Sequence, residues 1–599
     1  MQTDFLIVGG GSAGAALAAR LSERRDWRVI LVEAGADTPP DAMPADIDDP
    51  FPTSTLNPGY FWPGLEATMG AGAVSRPYPQ ARVMGGGSSI MGMFALRGLP
   101  SDYARWREAG ASRFSWEEVT ACHARAENDL DRADREGTRH GASPISRLPR
   151  AQWPGFVRRL ERAAASLGYE YVDDINATAA DAFFAMPATS DGRVRSSSAR
   201  CYLTPAVRAR ENLTILASTT VTALRFAGRR VVGVDTLREG VPLTLDAREV
   251  IVSAGAIHTP ALLMRSGIGD ADALVRLGIR PLVERRGVGR NLQNHAYQFF
   301  AVTLPRTERL AARQRRFAVA GLRASSGLQG CPTGDLMLFA LGRVSPRAFG
   351  VDVAMLGSAL YAPFSKGAVT LASADPQVPP RVDFGMLHDP RAAPRALQAA
   401  RLAERLLCSP AVAAGYGDAY LLPAGLAVSQ FYRRGLSGVL YAAGAKAVLS
   451  GPRSLRRRAF MHALPDATPL ADAAGDVAIS DAQLLASLAP MGHPVGTCTI
   501  GDERDPFAVV DDDYRVYGVD GLRVVDASVM PVIPSANTHL PTLMVAEHAA
   551  ARMLGKAAEQ TATQAFAQAP GEQSWARTRR YAGRRADGRT TCHLQHAGL

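Results

Sequence analysis

The stretch DFLIVGGGSAGAALAARLSERRDWRVILVEAG, residues 4 to 35, constrains the fold more than any other part of the chain. It reads as an apolar strand, a glycine turn, an alanine-rich helix, a second apolar strand and then Glu33, the order of a βαβ unit. Gly9, Gly11 and Gly14 stand between strand and helix in G-x-G-x-x-G spacing. The first permits the tight turn, the second lets backbone approach a pyrophosphate, and the third lets the helix pack on the strand. The helix N-terminus then stabilises the phosphates. Glu33 lies about 20 residues beyond the glycines, where a carboxylate accepts hydrogen bonds from ribose hydroxyls. The motif predicts a Rossmann-like α/β unit that binds a dinucleotide, and by itself it does not choose between FAD and NAD.

A chain of 599 residues exceeds the size at which one core stops growing, so two or more structural domains are expected. With 47% hydrophobic and 21% charged residues, the composition is that of a soluble globular protein. The net charge of +10 raises nucleic acid as a partner, but the basic residues are scattered, and nearly all are Arg, with only Lys366, Lys446 and Lys556 otherwise. No nucleic-acid partner is expected. No apolar run reaches the roughly 18 residues that span a bilayer. The opening MQTDFLIVGGG enters a strand without a basic region or cleavage site, which gives a cytoplasmic expectation. The six cysteines show no CxxC pair and no metal-ligand spacing, so reduced structural thiols and no metal are expected.

Two further stretches carry candidate chemistry. QARVMGGGSSIMGMFALRGLPSDYARW, residues 80 to 106, sets three glycines and two serines before an apolar run. Amides in such a loop can cradle phosphate or ring carbonyl groups, or the loop is a plain connection. LAPMGHPVGTCTIGD, residues 488 to 502, places His493 among small residues with no carboxylate before Asp502. Alone, His493 is either a catalytic base or an ordinary loop histidine.

Taken with their order, these stretches resemble the glucose–methanol–choline (GMC) oxidoreductases, whose signature runs Arg-x-x-Gly-Gly-x-Ser, an apolar stretch, then Arg-Gly. Arg82, Gly85, Gly86, Ser88, Arg97 and Gly98 match it. IVSAGAIHTPALLMRSGIGD (251 to 270), GVGRNLQNH (287 to 295), PFSKGAVTLASADPQVPPRVDF (363 to 384) and GLRVVDASVM (521 to 530) match further segments. Within the family the chain looks most like the bacterial 5-hydroxymethylfurfural and furfuryl alcohol oxidases. The resemblance implies an α/β (α+β overall) GMC fold with an FAD-binding domain assembled from residues 1–150, 191–300 and 481–556. It implies a substrate domain from 151–190 and 301–480, built on a large antiparallel sheet. Residues 557–599 have the composition of a disordered tail.

The resemblance implies FAD in the first motif. Ser89-Ile90-Met91 stands where some relatives carry a flavin-linked histidine, so a non-covalent FAD is expected. It makes His493 the base of a His-Pro-x-Gly-Thr segment and puts Asn537, in PSANTHLPT, at the second active-site position. An imidazole suits the task, because the hydroxyl proton of an alcohol must leave near neutral pH. An amide donor can hold the alcohol oxygen. Further implied cofactor contacts are Ser12, Ala13, Glu33 and Ala34 to the adenosine half, Val221 to adenine through its backbone, and Asp526 and Ala527 to pyrophosphate and ribityl. Thr538 approaches the ring edge with Asn537. The loop residues Arg82, Gly86, Ser88, Met91, Gly92, Met93 and Phe94 complete the set, and Trp62 is either a flavin neighbour or a core tryptophan.

His539 is a rival base, and His258, His295 and His548 are expected in core or surface roles. Met91 departs from the Asn or His of relatives, and a thioether is a poor hydrogen-bond partner. Gly492 departs from a bulky aromatic, which suggests extra room beside the substrate. Asn294 replaces a usual Asp. The implied activity is FAD-dependent oxidation of primary alcohols, aryl or furanic, with hydrated aldehydes as further candidates and oxygen or another compound as electron acceptor. A choline-like or other aliphatic alcohol dehydrogenase and a hydroxynitrile lyase stay open as alternatives.

Overall fold

The computed structural model describes residues 3–70, 72–132, 141–425, 435–470 and 479–555. The expected tail, 557–599, lies outside the described residues.

The opening apolar run forms strand Thr3–Val8, and the alanine-rich run forms helix Ser12–Leu21, which buries Ala15, Ala16, Leu17 and Ala18 completely. Small side chains let this helix lie close on the sheet. Strand Thr3–Val8 sits at the centre of a parallel sheet, flanked by Val29–Val32 on one side and Val241–Val252 on the other. Leu213–Leu216 extends one edge, and Leu522–Val524 pairs with Val241–Val252. The strand Val241–Val252 serves two sheets' worth of pairing. Its first half closes an antiparallel meander with Thr219–Ala227 and Arg230–Arg238, and its second half, from Ala247, runs parallel to the first strand. The last described helix, His539–Met553, packs against the first. Arg20 of one donates from Nε and Nη2 to the buried Glu547 carboxylate of the other at 2.8–3.0 Å, and Tyr202 donates to the same group at 2.9 Å.

The second sheet is the expected large antiparallel one. Its main strands lie in the order Ala419–Leu421, Ala296–Thr303, Val353–Leu360, Leu336–Leu341, Ala318–Ala324, Ala182–Ala185. Helices Gly155–Ser166 and Ala392–Cys408 cover one face. Phe94, Phe184, Phe339, Met355 and Tyr361 cluster on the other. The boundary expected at residue 300 falls inside strand Ala296–Thr303, whose first residue pairs with Leu360 on one side and Pro490 on the other. That register has a consequence for the site, because it sets the residues just outside the pairs, His295, Tyr361 and Met491, beside one another.

Candidate active site

The parallel strands all end at one cleft of about 820 Å³. Val8 and Gly9 follow from the first strand, Glu33 from the second, and Ser218, Ser253 and Asp526 from the others, so each strand delivers cleft-lining residues at its C-terminal end. This is where open α/β sheets hold nucleotides.

The glycines of the first motif divide their roles by space. A Cβ on Gly14 would lie 1.9 Å from the Gly9 carbonyl oxygen, so this glycine serves close packing of helix on strand. A Cβ on Gly11 would meet nothing nearer than Gly86 Cα at 3.9 Å, and Gly11 lines the cleft. The two glycine loops interlock: the Gly85 N–H donates to the Gly10 carbonyl at 2.7 Å, and Gly86, at φ +54°, leaves only 2.8 Å between its absent Cβ and Gly11 Cα. Glu33 accepts from the Gly10 and Gly35 amides, both at 2.7 Å, while burial pushes its pKa up. Asp526 accepts from Gly255, Thr259 and Ser528 at 2.6–2.8 Å, again with burial raising its pKa.

The cleft wall also carries donors that no protein group satisfies. The donors Arg82 Nε and Arg265 Nε are buried without partners, as is the ring atom His258 Nε2, and Trp62 stacks on His258 at 4.2 Å with the Arg82 guanidinium 5.1 Å from its ring. Unpartnered buried donors beside a glycine-walled cleft fit a ligand rich in acceptors, as FAD is. Gly9, Gly11, Ser12, Ala13, Glu33, Ala34, Trp62, Arg82, Gly86, Met91, Val221, Asp526, Ala527 and Thr538 all line this cleft. Gly14, Ser88, Gly92, Met93, Phe94 and Asn537 are not on its wall. Ser88 instead donates to the Gly85 carbonyl and accepts from the Ser198 amide, and Phe94 packs into the apolar face of the second sheet.

His493 and Asn537 adjoin the cleft-lining residues Gly492, Pro494 and Thr538 in the chain. Asn537 Nδ2 is 3.0 Å from His493 Nε2, and Asn537 Oδ1 accepts from the Tyr361 hydroxyl at 3.0 Å. His493 is half-buried, and desolvation pushes its pKa down to about 3. It is neutral across the ordinary pH range and able to accept a proton. Its loop is held by Met491, whose carbonyl accepts from Tyr78 at 2.8 Å and from Asn294 at 2.6 Å. The amide at 294 therefore supplies a donor that an ionised Asp could not. The Asn537 loop is held by Asp102 of the RGLPSDYARW segment, which accepts from Ser535 N and Oγ at 2.7 and 2.9 Å.

His295 is fully buried and reaches the candidate base. Its Nδ1 lies 2.9 Å from His493 Nδ1, its Nε2 lies 3.1 Å from the Tyr361 carbonyl, and its ring stacks on Tyr361 at 4.5 Å. His539 is turned away from this group and bonds Ser12 Oγ through Nδ1 at 3.0 Å. Met91 and Gly492, two separate departures in the sequence, are one feature in space. A Cβ on Gly492 would lie 3.0 Å from Met91 Cε and 3.2 Å from its sulfur, so the thioether fills the room that the glycine leaves.

A parallel sheet ending at a glycine-walled cleft, with a histidine and an asparagine next in the chain to residues of its wall, defines a dinucleotide-dependent oxidoreductase. The chain belongs to the GMC oxidoreductase family, whose profiles match residues 3–297 and 363–546. It is an FAD-dependent alcohol oxidoreductase. It is 37% identical to the 5-(hydroxymethyl)furfural oxidase of Methylovorus sp. (strain MP688), over 92% of this chain and 99% of that protein. It is 32% identical to an oxygen-dependent choline dehydrogenase of Rhizobium etli, over 93% and 96%. Among solved structures it resembles pyridoxine 4-oxidase from Mesorbium loti, with a TM-score of 0.73 and 26% identity over 92% of this chain and 99% of that one. Among the described residues no helix is long and apolar enough to cross a membrane.

Proposed function

We propose that the protein oxidises neutral primary alcohols of the aryl or furanic class, with His493 as the base and Asn537 as the group that holds the alcohol oxygen. One observation carries this reading: a neutral imidazole nitrogen and an amide donor stand 3.0 Å apart, next in the chain to the cleft-lining Gly492, Pro494 and Thr538. An alcohol entering there places its oxygen against Asn537 Nδ2 and its hydroxyl hydrogen against His493 Nε2, taking over the bond the two side chains share. His493 then receives the hydroxyl proton while Asn537 stabilises the developing negative oxygen. Bound FAD supplies the two-electron acceptor for the hydrogen that leaves carbon. Arg82, Glu33, Asp526 and the interlocked glycine loops hold that cofactor, without a covalent bond at Ser89-Ile90-Met91.

A neutral substrate suits the surroundings better than a quaternary ammonium, which needs a carboxylate or an aromatic cage. Asp526, the cleft carboxylate nearest in sequence to the pair, spends its oxygens on Gly255, Thr259 and Ser528. The likeness to the furfural oxidase supports the same choice.

Anaerobic mixing with furfuryl alcohol, benzyl alcohol or choline tests the reading. Bleaching of the flavin by the aromatic alcohols and not by choline is expected, and His493→Ala should slow it by roughly 10²–10⁴-fold. Cyanide release from a cyanohydrin without bleaching by any alcohol would establish a lyase instead. Peroxide yield on admitting air identifies oxygen as the acceptor.

A further inference from the structure

We propose that His295 is a positioning residue that fixes which nitrogen of His493 carries the proton, so that the nitrogen facing the alcohol is always the bare one. The inference rests on the reading of His493 as base.

Donors and acceptors alternate around a closed ring of hydrogen bonds. The Tyr361 carbonyl can only accept, so His295 Nε2, 3.1 Å away, carries a hydrogen. Burial, with His493 beside it, holds the His295 pKa well below its ordinary value despite the nearby Tyr361 and Pro534 carbonyls, so this imidazole is neutral, and with its one hydrogen on Nε2 toward Tyr361 its Nδ1 is bare. Bare Nδ1 lies 2.9 Å from His493 Nδ1, which must therefore be the donor. A neutral His493 with hydrogen on Nδ1 has Nε2 bare, and that atom faces Asn537 Nδ2 at 3.0 Å. Asn537 donates through its amide nitrogen, and its oxygen accepts from the Tyr361 hydroxyl. The four contacts are all satisfied in this sense. Turning the Asn537 amide round would set its oxygen against the lone pair of His493 Nε2.

Tyr361 closes the ring at both ends, through its carbonyl to His295 and its hydroxyl to Asn537. Sheet register builds this arrangement. Ala296 pairs with Leu360 and with Pro490, so the next residues outward, His295, Tyr361 and Met491, meet, and the Met491 N–H donates to the His295 carbonyl at 2.9 Å. Gly492 and His493 follow directly.

His295 does for His493 what a buried carboxylate does for the histidine of a hydrolase triad, and it does so as a neutral group. When His493 takes the hydroxyl proton, its Nδ1–H bond to His295 becomes charge-assisted and stronger. No negative charge is buried to achieve this. The proton stays on His493, because burial and the neighbouring His493 hold the His295 pKa well below its ordinary value.

Rapid anaerobic mixing of the holoenzyme with furfuryl alcohol separates the limiting rate of flavin bleaching from substrate dissociation. His295→Leu removes the acceptor and the donor, and should lower the limiting rate about 10²-fold with the dissociation constant within about threefold. His295→Gln can accept from His493 through its oxygen and donate to Tyr361 through its nitrogen, and should recover to within about tenfold of the parent. Equal rates for Leu and parent, or equal slowing by Leu and Gln, would overturn the proposal. Parent-like bleaching by His493→Ala would remove the base itself, and the proposal with it, and is told apart by which variant stays fast. Should the Leu variant lose FAD, ¹⁵N resonances of the His493 ring in the unaltered holoenzyme decide: a bare Nε2 supports the proposal, and a bare Nδ1 refutes it.

Discussion

Replacing Gly11 by Ala separates two reasons a glycine can occupy the cofactor motif. At Gly11 the backbone is extended, φ −73° and ψ −158°, which Ala adopts without strain, and the new Cβ would have 3.9 Å to its nearest protein neighbour. Reduced freedom of the unfolded chain favours Ala by about 0.4–1 kcal/mol. Gly11 is also the N-cap of helix Ser12–Leu21, where Ala is a poorer residue by a similar amount. The apoprotein of Gly11→Ala should therefore unfold within about 1 kcal/mol of the parent apoprotein. The holoprotein should not behave so, since the open space beside Gly11 belongs to the pyrophosphate. A hundredfold weaker FAD removes about 2.7 kcal/mol of the stabilisation that saturating cofactor confers. Gly14→Ala offers the contrast, with its Cβ 1.9 Å from the Gly9 carbonyl, and should damage the apoprotein itself. Denaturant melts of apo and FAD-loaded protein, with FAD titrated by fluorescence, give all the quantities. A Gly11→Ala protein that binds FAD like the parent while its apoprotein loses several kcal/mol would show that the residue serves packing and that the cofactor runs elsewhere.

Three other outcomes follow from contacts already described. Gly492→Ala should cost about 1 kcal/mol beside Met91 and much less in a Met91→Ala background, a coupling that a double-mutant cycle in denaturant measures; additive effects would separate the two positions. Arg395 and Asp335, both fully buried, pair at 2.7 Å, and Arg395 also donates to the Ala362 carbonyl next to Tyr361, so Arg395→Met should cost about 3–5 kcal/mol by stranding a carboxylate, as read by urea melts. Burial holds His258 and His548 at pKa about 3, far below the 6.5 of the unfolded chain. The unfolded chain binds more protons below pH 6.5, so this stability is complete above that pH and is lost as pH falls toward 3. Urea midpoints should drop from pH 7.5 to 5.5, and His548→Gln should flatten the slope; a flat parent profile would count against neutral burial.

Local pattern in the chain carries the start of the nucleotide-binding fold. The βαβ unit and the glycine spacing are written in residues near one another, and the resemblance in motif order brought the discontinuous α/β architecture and FAD with them. His493 and Asn537 were visible as motif residues, and the structure places them together. What sequence could not hold was pairing across the sheet. His295 and His493 are 198 positions apart, and their meeting depends on the register of strand Ala296–Thr303. A signal existed in GVGRNLQNH, where a histidine ends a matched motif directly before an apolar strand, but nothing local says what faces it. Met91 and Gly492 were each legible as departures, while their compensation, a thioether filling a vacated space, exists only in three dimensions. Gly92, Met93 and Phe94 share the cofactor loop's sequence and not its wall, because the chain turns there into the second sheet.

The clasp between Arg20 and Glu547 sets a timetable for biosynthesis. The two residues are 527 positions apart, and strand Leu522–Val524 joins the central sheet as late in the chain. At about 5–20 residues per second, the ribosome needs roughly half a minute to two minutes to make the second partner after the first. Throughout that interval the nascent βαβ unit lacks the helix that covers it and Asp526 at its cleft, so the nucleotide site is unfinished. Flavin loading is therefore a late event in the life of each molecule, and the growing chain presents an apolar helix surface to the cell's chaperones before it can present a cleft to FAD.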